Sequence, residues 1–186
     1  MDLRISLVHG SEAEIMTRAQ LQRLRQRYGV LPFEFTDEAV IDETAIPHSH
    51  PVLTLHTRHR DDDLLLLSTY LHEQLHWFLT QQPDDRLEPV LAALTARYPN
   101  PPIGFPAGSD SSLGDYFHYL ICRLEYLCLR HLAGEDAAER AIAFWQLDHY
   151  TEIYRTVMED GEFLDALLRE HDLMLPTSDT ASREGE

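Results

Sequence analysis

The stretch that decides the fold runs Pro51-Val52-Leu53-Thr54-Leu55-His56-Thr57-Arg58-His59, then Asp61-Asp62-Asp63, then an apolar run from Leu64 to Thr80 that holds His72-Glu73-Gln74-Leu75-His76. The first part alternates apolar and polar residues, the period of a half-buried strand. The aspartates suit the N-cap and first turn of a helix starting near Leu64. Residues i and i+4 of a helix share a face, so the imidazoles of His72 and His76 can point at one ion. Glu73 lies about 100° further round and can lean over the same ion without binding it. Around these three stand Tyr70, Leu71, Gln74, Leu75, Trp77 and Phe78, with no charge among them. The helix is therefore expected to be largely buried, and a metal would satisfy one ring nitrogen of each histidine. The alternative is a pair of structural histidines.

The order strand, turn, H-E-x-x-H helix resembles a small zincin-type metallopeptidase, of the gluzincin-like kind with a glutamate as third ligand. The resemblance covers residues 51–80 and one later helix. It implies a zinc-bound water, Glu73 as general base, and an edge strand that pairs with an extended substrate.

A catalytic zinc takes three protein ligands and keeps one position open. The longer pattern H-E-x-x-H-x-x-G-x-x-H is absent, since Thr80, Gln81 and Gln82 follow Leu79. Glu125 is the best third ligand, because it lies in the apolar helix Tyr116 to Arg130 among Ile121, Cys122, Cys128 and Leu129. A carboxylate so placed needs a partner or a metal, and the resemblance implies a glutamate on a downstream helix. An ion pair with Arg123 or Arg130 is the competing explanation. His118, Asp148 and His149 are the competing ligands. Hydrolysis also needs a donor to the developing oxyanion, for which His149, Tyr150 and Tyr154 are candidates and His149 and Tyr154 the preferred pair. His48, His50, His56 and His59 fit no metal template and suit a surface near a cleft.

Composition limits the function classes. The chain has 186 residues, is 44% hydrophobic, and carries 32 acidic against 15 basic residues for a formal charge of −17. That balance argues against nucleic acid and anionic membrane as partners. Cys122 and Cys128 lie six apart on one helix, face different ways, and fit a reducing compartment. No signal peptide or membrane span is read, so the expected location is the cytoplasm.

Strands are expected at Arg4–Val8, at 33–36 and 39–41 as strands or a hairpin, and at 52–57. Helices are expected at 12–28, 64–81, 85–97, 113–133, 135–158 and 161–173, with a Pro- and Gly-rich loop at Tyr98–Gly114 that could border the cleft. The expected fold class is α+β, a small N-terminal twisted sheet with an edge strand next to the H-E-x-x-H helix, followed by a mainly helical C-terminal part. Residues 1–175 are read as a single zincin-like metal-binding domain and 176–186 as a disordered tail. The expected function is a zinc-dependent hydrolase, a peptidase acting on a peptide or small amide. Two alternatives remain open: a non-haem iron(II) oxygenase with two histidines and one carboxylate, and a non-catalytic, metal-stabilised binding or regulatory module.

Overall fold

A computed structural model describes residues 3–176; the tail expected at 176–186 lies outside them apart from Pro176. The chain forms two compact units, one up to Thr80 and one from Gln81 onward. The architecture is α+β: a small N-terminal sheet, then helices.

The first unit contains strands β1 (Arg4–Leu7), β2 (Glu38–Ile41) and β3 (Leu53–Leu55), with helix α1 (Glu12–Tyr28) between β1 and β2 and helix α2 (Asp63–Thr80) after β3. The sheet order is β1-β2-β3. Both pairings are parallel, in the registers Arg4↔Glu38 to Leu7↔Ile41 and Ala39↔Leu53 to Ile41↔Leu55. Helix α1 begins at Ser11, whose hydroxyl accepts from the Glu14 amide, and ends at Gly29 with φ 62°, the left-handed conformation a glycine adopts at little cost.

Two local expectations are corrected. No hairpin forms over 33–41, because Leu31–Phe33 is a 3₁₀ turn with a proline near its start. The amides of Phe35 and Thr36 bond instead to the Gln74 side chain at 2.7 and 3.0 Å, which removes them from any ladder. Strand β3 is buried on both faces rather than one: Leu53 and Leu55 are fully buried, and Thr54 is buried with them. Its outer edge is also taken. The His48 amide donates to the Thr54 carbonyl at 3.1 Å, and the Thr54 amide donates back to the His48 carbonyl at 2.7 Å. The strand order leaves β3 at the edge of the sheet next to α2, as expected, but an extended substrate finds the outward polar groups of Thr54 already paired.

The aspartates before α2 act as the sequence implies. Asp62 Oδ1 accepts from the amides of Leu64 and Leu65, each at 3.0 Å. Asp63 receives both Arg23 guanidinium nitrogens at 2.7 Å and Gln20 Nε2 at 3.0 Å, tying α1 to α2. The Arg23 hydrogen bond holds the Asp63 carboxyl at about 2, against an ordinary 3.8. A depressed carboxylate contributes stability that is complete above the ordinary value and lost as pH falls toward the folded value. Asp63→Asn should therefore flatten the fall in melting temperature between about pH 4 and pH 2, with a contribution below about 1 kcal/mol because the pair is solvent-screened. Parallel wild-type and variant melting curves of the full chain would show it; identical slopes would remove Asp63 from the acid response.

The second unit is helical: α3 (Asp84–Arg97), α4 (Ser112–Ala133), α5 (Glu135–Asp148), α6 (Thr151–Glu159) and α7 (Gly161–Glu170). Helix α4 is buried along most of its length, as its apolar sequence implies. The single helix expected over 135–158 is two. Between them Tyr150 sits at φ 52°, a conformation uncommon for a non-glycine residue. The Thr151 and Glu152 amides donate to the Pro106 and Ala107 carbonyls at 2.9 and 3.2 Å. The proline-rich loop thus satisfies amides at the start of α6 that a continuous helix would have bonded internally. Arg123 of α4 makes two bonds of 2.7 Å to Asp165 of α7. Its guanidinium lies so near Gly161 that a Cβ there would meet Nη1 at 2.6 Å, so a side chain at this position would push the Arg123 guanidinium aside.

Candidate metal centre

His72, Glu73 and His76 occupy one turn of α2, within the first unit. His72 is 7% and Glu73 6% exposed, and His76 is half-buried. The two imidazole centroids are 5.1 Å apart, with the rings inclined at 64°. Tyr70, Leu71 and Leu75 around them are fully buried, as the uncharged context implies. Two imidazoles one turn apart with a carboxylate beside them form a donor set suited to zinc or iron(II).

Gln74, inside the motif, has a role that motif reading missed. It is fully buried. Its Oε1 accepts the Phe35 and Thr36 amides, and its Nε2 donates to Tyr70 Oη at 3.1 Å and to the Thr36 carbonyl at 3.4 Å. Tyr70 Oη donates to Glu34 Oε1 at 2.6 Å, and Glu34 is held by Arg25 Nη2 at 2.8 Å. This network fixes the rotation of α2 against the turn that follows α1, and so fixes the direction of the adjacent His72 and Glu73 side chains. The sequence signal was a polar amide at a buried helical position, which demands partners.

The other histidines of the first unit serve local structure. The His50 ring stacks on Trp77 at 4.3 Å, and its Nδ1 lies 2.8 Å from the Ser49 hydroxyl. Trp77 Nε1 donates to the Ser49 carbonyl at 2.8 Å. His48 Nδ1 donates to the Ile46 carbonyl at 2.8 Å, and His56 Nδ1 accepts from the Arg58 amide at 2.8 Å. A separate group, His9, Glu14 and Asp42, brings its ligand-type atoms within 4.8 Å of one another. Glu14 is fully buried, and its carboxylate already accepts the His9, Gly10 and Glu43 amides at 2.9, 2.8 and 3.2 Å. Its evident task is to join the ends of β1 and β2 to the start of α1.

The remaining predicted residues belong to the second unit. Glu125 is fully buried on α4, and its Oε2 accepts the Tyr154 hydroxyl at 2.8 Å. Arg123, one of its proposed ion-pair partners, is directed to Asp165. Arg130, the other, lies over the Tyr126 ring, 5.7 Å from its centroid. Cys122 and Cys128 are free thiols. Burial, and then the neighbouring Glu125 charge, push both well above the usual thiol value. Burial likewise raises the Tyr154 hydroxyl, reinforced by Cys122 and Glu125. A hydroxyl has one proton, and Tyr154 donates it in a hydrogen bond to Glu125, which orients that carboxylate.

His118 Nδ1 lies 2.7 Å from the Gly114 carbonyl, which can only accept. Nδ1 therefore carries a proton, and in the neutral ring Nε2 keeps its lone pair, the tautomer a ligand histidine needs. His149 ends α5, with its Nδ1 2.9 Å from Asp148 Oδ2. Its ring is 4.9 Å from Tyr150 and 6.4 Å from Tyr154. Of the expected catalytic residues of this unit, His149 keeps a partly exposed ring.

No protein family model matches this chain, and no curated protein or solved structure matches it significantly. No helix among the described residues is long and apolar enough to cross a membrane.

Proposed function

We propose that the chain is a zinc-dependent hydrolase of the zincin type, acting on a peptide or small amide. The observation that carries this reading is the His72–His76 pair, with rings 5.1 Å apart on a buried turn that also presents Glu73. Zinc, when bound, polarises a water and lowers its pKa to about 7. Glu73 takes the proton from that water and returns it to the leaving amine. The Gln74 network holds the helical turn that carries all three side chains. Glu125 is carried forward as the third ligand on chemical grounds: it is a fully buried carboxylate on an apolar helix, with one oxygen oriented by Tyr154. His149 is the proposed donor to the oxyanion, its Nδ1 anchored by Asp148. The two buried free thiols suit a reducing compartment, and the cytoplasm is the proposed location.

Elemental analysis of the purified full chain tests the reading. One zinc per chain is expected in the wild type, with loss in His72→Ala and in Glu125→Ala. Full zinc retention by Glu125→Ala would move the third ligand to His118, Asp148 or His149. Iron together with oxygen consumption would select the oxygenase chemistry that two histidines and a carboxylate also permit. Zinc whose chelation unfolds a chain that turns over no substrate would select the structural module. A wild type that binds no transition metal at all would overturn the proposal.

A further inference from the structure

We propose that the second unit carries a separate binding pocket for an organic cation, the ammonium or guanidinium end of a basic side chain or a small amine. The cavity measures about 360 Å³; the proline-rich loop contributes Tyr98, Pro99, Asn100 and Pro102, and the helices contribute Tyr119, Glu152 and Thr156. That volume lies at the lower end of the range of about 300–1,000 Å³ for small-molecule sites, so the occupant is of side-chain size.

The lining selects charge sign. Pro99 and Pro102 lack amide hydrogens, so at these two lining positions the backbone brings no hydrogen-bond donor. The Tyr98 and Tyr119 rings lie together, with centroids 4.5 Å apart, and supply aromatic surface of the kind that attracts cations. Glu152 supplies a carboxylate, and no lysine or arginine is among the lining residues. Arg155 bonds to Glu152 at 2.6 and 2.8 Å, but on an exposed surface, where such a pair competes weakly.

A second acidic group stands one turn before Tyr119 on α4. Asp115 is fully buried; its Oδ1 accepts the Ser109 amide at 2.5 Å, and its Oδ2 has no hydrogen-bond partner. Its charge and that of Glu152 act on the Tyr119 hydroxyl, which burial first and these charges next push up to about 12. The field that disfavours a tyrosinate at this wall favours a positive ligand there. The formal charge of −17 raises the local concentration of cations near the whole chain.

Isothermal titration calorimetry on the full chain tests this, with butylammonium and butylguanidinium against neutral 1-pentanol of similar length. The cations are expected to bind with dissociation constants on the order of 1 mM, and the alcohol at least about tenfold more weakly. Glu152→Gln, at a half-exposed position, should weaken cation binding about tenfold without loss of fold. Amide resonances of Asn100 and Thr156 should shift on titration. A blocked lysine that binds as well as butylammonium, with blocked norleucine silent, would identify a peptide side chain as the source; binding of the free amine alone would identify a small metabolite. Equal binding of 1-pentanol and butylammonium, absence of cation binding, or an unchanged affinity in Glu152→Gln would overturn the proposal. None of these readouts depends on zinc or on turnover, so this pocket and the hydrolase reading fail separately.

Discussion

Glu73→Gln is expected to keep the zinc of the wild type and to lose hydrolysis by about 10²- to 10⁴-fold, the range a positioned general base supplies. The substitution preserves the shape of a side chain that is 6% exposed on a packed helix, so the fold should hold. It removes the basic oxygen while leaving both imidazoles in place. Metal content and turnover should therefore separate, which neither a structural pair of histidines nor a folding defect would produce. The measurement pairs elemental analysis with cleavage of a mixed peptide library followed by mass spectrometry, using the zinc-loaded wild type as reference. If wild type and variant cleave the same bonds at the same rate, Glu73 is not the base. If the variant loses its metal, Glu73 is a ligand rather than a base.

Gln74→Ala should be strongly destabilising although it removes no apolar side chain. The wild-type amide satisfies two part-buried backbone amides, those of Phe35 and Thr36, and accompanies them with a bond to Tyr70. A buried group left unpaired costs about 1–3 kcal/mol, so two of them set an upper range of about 2–6 kcal/mol. That is a large share of the roughly 5–15 kcal/mol by which domains are stable. Urea unfolding followed by circular dichroism would read the loss as a lower midpoint with little change in slope. Gln74→Met, which keeps the volume and drops the hydrogen bonds, should lose nearly as much, because the loss arises from the stranded amides more than from a cavity. A shift below about 0.5 kcal/mol in both variants would mean that Phe35 and Thr36 find other partners, and the network would lose its positioning role.

Both variants concern adjacent residues of one pentapeptide, and they divide its work. The shared turn of His72, Glu73 and His76 was legible because helical spacing alone brings residues i, i+1 and i+4 together. Gln74 was not, because any residue satisfies the pattern there; only the folded neighbours show which amides it serves. The same division runs through the rest of the chain. Asp62 capping α2 is a local device, complete within a few residues, and the sequence sufficed to place it.

The misread elements depend on partners distant in the chain. The expected hairpin over 33–41 is absent because Gln74 draws off the Phe35 and Thr36 amides. Strand β3 looked half-buried because Thr54 and His56 alternate with leucines, yet it is covered on both faces and paired at its edge by His48. The long helix expected after Glu135 divides at Tyr150, where Pro106 and Ala107 carbonyls capture the next amides and the Tyr150 ring packs on His118 at 4.1 Å. Periodicity records how much of a segment is apolar, and it does not record which distant carbonyl takes its amides.

By itself, then, the sequence placed two imidazoles and the carboxylate beside them on one helix, and gave the α+β order of strands before helices and the bounds of several helices. These follow from spacing along one element or from capping within one turn. The tertiary structure alone decided that the strands run parallel, that β3 has no open edge at Thr54, that Gln74 locks the motif helix, and that the Tyr154 hydroxyl donates to Glu125. Each of these is a pairing between groups far apart in the chain, settled by where buried donors and acceptors must find partners.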